Sequence, residues 1–364
     1  MKDYGISNLR NVVLVGHQSS GKTTLAEAIL FNAGVVSRIG SVEDGNTTLD
    51  SSPDEIERKI SITAGLAFFE FSKNKITILD TPGYEDFVGD VLSCLPVVEG
   101  GVVVMSADGG VEVGTEKTWG YLDRYGLPRI VCVNRMDKEH ANFDKCLADA
   151  QKFLSSKVMP LQLPIGQGTS FKGVVDILKK KALIYSDGKY SEEEIPADLA
   201  GKADEWRRKL MDFAAETDDA LLEKFLEGGE LTDEELTKGL AEGCIAGTLV
   251  PLVVTSATEN IGIHQLVEFF ISLLPSPEWR SEMEVKSVSS GETERIRTGS
   301  DAPTVSFVFK ALSEKHIGDL SFIRVFSGKV NVGEELYNSG LGSSERIGQL
   351  YFIQGKNRVE TSSI

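Results

Sequence analysis

The sequence predicts an α/β domain with a mostly parallel sheet, an α+β insertion within it, and an incomplete antiparallel β-barrel after it. Three observations lead there. Short apolar runs at residues 11–15, 101–105, 129–133 and 252–254 alternate, in the first half of the chain, with stretches of helical spacing. That is the rhythm of a parallel sheet covered by helices on both faces. The rhythm fails between about residues 156 and 247 and resumes at 252. From residue 303 the text turns to alternating apolar and polar positions cut by glycine turns, the mark of antiparallel strands.

Taken in order, NVVLV at 11–15 is a strand ending at a glycine loop, and 25–32 is a helix stopped by Gly34. Residues 68–71 and 75–79 (KITIL) form a hairpin across Ser72 and Asn74. The insertion at 156–247 opens with a strand-like stretch, GVVDILKKKALIYSDGKY. Two acidic helical stretches follow, at 197–226 and 232–244. Residues 261–274 make the closing helix, ended by LPSP, and the polar stretch from 278 is a linker. TVSFVFKAL, LSFIRVFSG, EELYNSG and RIGQLYFI are barrel strands. The expected domains are 1–155 and 248–277 for the α/β unit, 156–247 for the insertion, 278–301 for the linker and 302–364 for the barrel. The barrel strands are too few to close, and an open barrel exposes an edge, so the chain reads as a piece of a longer protein.

Composition narrows the function. Apolar content of 41% and charged content of 26% are those of an ordinary soluble protein. No apolar run approaches the roughly 18 residues of a membrane span, and the N-terminus has no apolar core for export. The four cysteines lack metal spacing, which fits reduced thiols in the cytoplasm. A net charge of −17 argues against binding nucleic acid through a general basic surface. Residues 186–242 hold 18 acids against 7 bases and carry most of that excess. Such a stretch is a solvated helical face or, less simply, a dock for a basic partner.

Residues 16–23, GHQSSGKT, fit G-x-x-x-x-G-K-[ST] between a strand and a helix. Gly16, His17, Gln18, Ser19, Ser20 and Gly21 would wrap phosphates with backbone amides, aided by the helix end. Lys22 would meet the outer phosphates, and the Thr23 hydroxyl, beside Thr24, would ligate Mg²⁺. His17 gains no catalytic role by being a histidine. DTPG at 80–83 follows a strand; Asp80 would hold Mg²⁺ through water, and the Gly83 N–H would bond a γ-phosphate. NRMD at 134–137 and Ser256-Ala257 end two further strands. Asp137 can accept from the ring N–H and amino group of guanine, donors that adenine does not present on that edge. Asn134 would tie the loops together, while Ser256 and the Ala257 N–H close over the base. Residues 40–63, ending ERKISIT, form a long polar loop of the kind ordered by nucleotide. Within it Ser61 supplies a second hydroxyl for Mg²⁺, with Thr63 as the fallback.

These motifs together resemble the translational GTPases, most closely elongation factor G and its divergent bacterial paralogues. GHQSSGKTTLAEAIL is similar to that family's first motif, ERKISIT to its ERGITIT and LPSP to its domain-ending signature. FIRVFSGKV and ERIGQL are similar to its second domain. The resemblance covers nearly the whole chain and implies a P-loop GTPase that binds GTP/GDP and Mg²⁺ and acts on the ribosome. It also implies the acidic insertion as a contact for the ribosomal stalk. Five positions in four motifs depart from the family: Ser19 for an Asp linked to a monovalent cation, Lys59 and Ser61 in RGIT, Arg135 in NKxD, and Tyr84 for the histidine of DTPGH. The stem of Arg135 can still pack on a base.

Tyr84 sits where the family orients water. A phenol with a pKa near 10 is a poor base at neutral pH, yet phosphoryl transfer depends mainly on positioning and charge. The expectation is a slow GTPase, with Lys22, Gly83 and Tyr84 as its catalytic residues, monomeric and cytoplasmic, helped by a ribosomal partner. A GTP-binding switch with little or no turnover, a P-loop ATPase or kinase, and a ribosome protection factor are the alternatives. NRMD speaks against the ATP-dependent ones.

Overall fold

A computed structural model describes residues 4–186, 188–228, 231–288, 290–314 and 318–364. In chain order the first part runs β1 (Leu9–Val15), α1 (Lys22–Asn32), α2 (Pro53–Arg58), β2 (Gly65–Phe71), β3 (Asn74–Asp80), α3 (Val88–Cys94), β4 (Gly100–Ser106), α4 (Val113–Arg124), β5 (Arg129–Asn134), α5 (Phe143–Asp149) and β6 (Val158–Pro160). Then come β7 (Gln162–Ile165), β8 (Gly173–Asp176), β9 (Lys181–Ser186), β10 (Lys189–Glu193), α6 (Ala197–Ala215), α7 (Asp219–Leu226), α8 (Asp233–Ala246), β11 (Val250–Val254) and α9 (Ile263–Leu273).

The main sheet has the order β2-β3-β1-β4-β5-β11-β6. Only β2 runs antiparallel to its neighbour. Every residue of β4, β5 and β11 is buried, as expected of strands covered on both faces. The β2–β3 hairpin turns on Ser72 and Lys73, both with positive φ, a turn whose twist matches that of the strands. Because parallel strands put all their carboxyl ends on one side, the loops after β1, β3, β5 and β11 gather there.

Three elements differ from the sequence-based expectations. β6 pairs with β11 and so belongs to the main sheet, although its place in the sequence puts it within the expected insertion; three residues are too short for a periodic signal. The acidic stretch 197–226 is two helices, because Asp218 accepts from the Ala220 and Leu221 amides and starts a new one. Residues 53–58 of the expected loop are helical. Ser52 caps them, Pro53 occupies the first turn, and Glu55 reaches back to the Ser52 N–H.

The insertion forms a four-stranded sheet, β10-β9-β8-β7, with α6 and α8 crossing closely where Gly239 meets Ala214. The expected linker is a hairpin, β12 (Glu282–Lys286) with β13 (Thr293–Arg297), carrying a cross-strand Glu284–Arg295 pair. The remaining strands pair as antiparallel hairpins of an incomplete barrel: β14 (Val305–Glu314) with β15 (Gly318–Ser327), β16 (Glu335–Asn338) with β17 (Ser343–Arg346), and β18 (Leu350–Gln354) with β19 (Asn357–Thr361). Arg324 of β15 anchors the barrel, donating to the Val97 carbonyl at 2.9 Å and pairing with the buried Glu99 at 2.7 Å. Glu99 also accepts from Asn11 of β1.

Candidate functional site

The loop from β1 to α1 is shaped by contact with β4. A Cβ on Gly16 would lie 2.3 Å from the Val104 carbonyl oxygen, and its φ of 145° suits glycine alone. Ser19 is also left-handed, with φ 58°. Lys22 turns its ammonium back into the loop, donating to the Gly16 and His17 carbonyls at 3.1 and 2.8 Å. The His17 ring faces outward instead: Nδ1 accepts from the Gly114 N–H and Nε2 lies 3.4 Å from Glu112. Ser20 Oγ is buried without a partner among the described residues. Gln18 meets the DTPG turn, and Thr24 is half-buried on α1.

The DTPG turn closes on this loop. Thr81 Oγ1 donates to the Leu14 carbonyl at 2.6 Å. A Cβ on Gly83 would sit 2.6 Å from Lys22 Nζ and 2.8 Å from the Gln18 amide nitrogen, so only glycine brings its backbone this near. Tyr84, next in line, is half-buried and precedes a short 3₁₀ turn. Thr23 Oγ1 donates to Asp80 Oδ2 at 2.6 Å and lies 3.1 Å from Ser61 Oγ. Thr63, the fallback, is turned away: its N–H and hydroxyl both go to Glu55.

Electrostatically this corner is unbalanced. Burial, then the neighbouring Asp50, pushes the Asp80 carboxyl up, and burial also raises Asp50. Burial lowers Lys22, opposed by Asp80 and Asp50. Asp80 Oδ1 and Asp50 Oδ2 are buried without hydrogen-bond partners among the described residues. Buried orphan oxygens of this kind call for a donor or a cation.

The other corner is fully bonded. Asn134 donates to the Ser20 and Gly21 carbonyls at 3.3 and 3.4 Å. Its oxygen accepts from Thr255 Oγ1 and the Ala257 N–H, both at 3.1 Å. One amide thus joins three loops. Ser256 Oγ donates to Asp137 at 2.6 Å, and the second Asp137 oxygen faces Lys138. Arg135, left-handed at φ 66°, gives its guanidinium to the Ser19 carbonyl at 2.7 Å. A wider cleft of about 760 Å³, lined by Phe68, Phe322 and Phe352, lies against the barrel and not where these loops meet.

Residues 7–276 match the family described as Elongation factor Tu GTP binding domain, and residues 303–364 match Elongation factor G domain 2. The chain belongs to the elongation factor G-like translational GTPases. It is similar to a protein of Thermus thermophilus with a crystal structure, at 32% identity and a TM-score of 0.86, over 98% of this chain and 51% of that one. It therefore spans about half the length of that protein. Guanine-nucleotide binding comes with the family.

Sequence motifs missed three acids in this translational GTPase. Asp50 reaches the Thr23–Asp80–Ser61 corner from the polar loop, where nothing local separates it from Asp44 or Asp54. Glu27 of α1 is buried and accepts from the Gly40 and Thr48 amides; burial raises its pKa. Glu55 accepts from the Ser51, Ser52, Ile62 and Thr63 amides. Its S-x-x-E spacing from Ser52 was the available signal. Among the described residues no helix is long and apolar enough to cross a membrane.

Proposed function

We propose that this chain binds GTP and GDP with Mg²⁺ and hydrolyses GTP slowly, as the nucleotide-handling part of a cytoplasmic factor acting on the ribosome. One observation carries this: the loops after four parallel strands converge, and Asn134 ties the Gly16–Thr23 loop to Ala257. In this reading the amides of residues 17–22 and Lys22 hold the phosphates. The Thr23 and Ser61 hydroxyls and the Asp80 carboxylate hold Mg²⁺. The donor set fits that ion, all hard oxygens, with orphan buried atoms at Asp80 Oδ1 and Asp50 Oδ2. Mg²⁺ would neutralise charge on the β- and γ-phosphate oxygens.

The chain's own residues do the rest. Gly83, the one residue type that clears Lys22 and Gln18, offers its N–H to the γ-phosphate. Asp137 can only accept, so it pairs with the two donors on guanine and leaves an adenine base unmatched. The Ser256 bond holds that carboxylate in place. The stem of Arg135 packs by the base while its guanidinium steadies the Ser19 carbonyl. Tyr84 orients water without strong base character, which makes intrinsic turnover slow. The acidic helices at 197–246 offer a basic ribosomal protein of the stalk a complementary face.

Calorimetry with Mg²⁺ present tests the base assignment. GTP and GDP should bind about 100-fold or more tighter than ATP, and equal affinities would overturn it. Tyr84→His tests the catalytic assignment: single-turnover hydrolysis should rise by roughly 10- to 100-fold, and an unchanged rate removes Tyr84 from the mechanism.

A further inference from the structure

The segment that carries Ser61 ends at Ala64, and both sides of that residue's backbone are held by side chains from elsewhere. The Ala64 N–H donates to Asp90 Oδ1 at 2.9 Å, and Asp90 lies on α3, the helix that follows DTPG. The Ala64 carbonyl accepts from Lys310 Nζ at 2.5 Å, and Lys310 lies on β14 of the barrel. Burial lowers the Lys310 pKa, and the nearby Asp90 carboxylate opposes that shift. The β14–β15 register slips between Val308 and Lys310, and a bulge of this kind re-aims the side chain next to it. The Lys310 ammonium also lies 5.6 Å from the Phe322 ring centre, so its position is fixed from within the barrel.

A second barrel contact meets the same segment further back. The Gly355 N–H donates to the Leu66 carbonyl, and a Cβ at Gly355 would lie 2.2 Å from the Thr48 carbonyl oxygen. The barrel therefore touches the segment before Ser61 and just after it. With Ser61 Oγ 3.1 Å from Thr23 Oγ1, the arrangement so held keeps the two hydroxyls side by side.

We propose that Lys310 is a positioning residue for the nucleotide switch: by clasping the Ala64 carbonyl beside Asp90, the barrel holds Ser61 in its triphosphate arrangement and so sets the preference for GTP over GDP. This rests on Ser61 acting in the Mg²⁺ site. GDP lacks the phosphate that both switch segments would meet, so its binding does not need the clasp.

The test compares affinities for a non-hydrolysable GTP analogue and for GDP in the 364-residue chain. Lys310→Met keeps the aliphatic stem beside Phe322. It should weaken the analogue by roughly 5- to 50-fold while leaving GDP within about twofold. Lys310→Arg should restore most of the ratio. Asp90→Asn, on a different element, should lower the same ratio, and its effect should shrink in the Lys310→Met background. An unchanged ratio in both single variants, equal weakening of both nucleotides, or strictly additive effects overturn the inference. If the wild-type chain itself prefers neither guanine nucleotide over ATP, the functional reading fails instead, which keeps the two failures apart.

Discussion

The two ends of the nucleotide site proposed above, one assigned to the base and one to the phosphates, are built in opposite ways. At the base end, the Asn134 amide nitrogen and oxygen, the Asp137 carboxylate and the Ser256 hydroxyl all have partners within the chain. At the phosphate end, Asp80 Oδ1, Asp50 Oδ2 and Ser20 Oγ have none among the described residues. Two buried carboxyls there are pushed toward neutrality, as is the lysine between them. A finished hydrogen-bond network specifies one geometry; a half-finished one is costly until something completes it. The base end is thus set by folding, whereas the phosphate end is set by what binds. In the function proposed above, that division would let the chain keep one base preference while responding to the number of phosphates.

The sharpest way to break this contrast is Lys22→Met. Removing the buried cation from the phosphate end should weaken GTP by about 10³-fold and leave the GTP-to-ATP affinity ratio unaltered. A large change in that ratio, read by calorimetry, would show that the ends are not separable. Next in size is Asp137→Ala, which should lower the preference for GTP over ATP by about 10²-fold. ATP affinity itself should hardly move, since the phosphate contacts survive.

Asn134→Ala asks whether the base end is structural even without ligand. It strips partners from the Thr255 hydroxyl and the Ala257 amide, and should cost about 2–3 kcal/mol in urea unfolding. A loss below about 0.5 kcal/mol would mean the loops hold together by other contacts. The smallest effect concerns pH. Asp50 and Asp80 have folded pKa values above their unfolded ones. Their contribution to stability is therefore full below the ordinary carboxylate value of about 4 and is lost as pH rises through the raised values. Ligand-free wild type should lose about 1 kcal/mol more than Asp50→Asn between pH 5 and pH 7. Equal slopes in the two thermal-melt series would remove Asp50 from the account.

What the sequence made legible follows the same division. Groups singled out by local strings at strand ends, such as Lys22, Thr23, Gly83 and Asn134, lie together in the structure. So do Asp137 and Ser256, although 119 positions apart, because each ends a strand of the same parallel sheet. Asp50 and Glu27 stayed hidden, since their importance comes from which distant backbone they reach and neither sits in a recognisable string. The helix over Pro53–Arg58 was different. Its capping pattern stood in the open, but the polar composition of residues 40–63 masked it. The strand Val158–Pro160 depends on a partner some ninety positions away, whereas the local hairpin over 282–297 is hidden by a polar, mostly exposed composition that reads as linker. His17, inside the phosphate loop, points its ring toward Glu112 and Gly114. Membership of a motif did not dictate where its side chain went.

The barrel's anchor has a mechanical consequence. Arg324 grips Glu99, and Glu99 grips Asn11 near the start of β1, the strand that runs into Gly16. A force applied to the barrel is delivered to a stiff, doubly flanked rod whose far tip is the glycine turn. The load would arrive at that turn as strain along β1, by a route that bypasses the stretch between the domains.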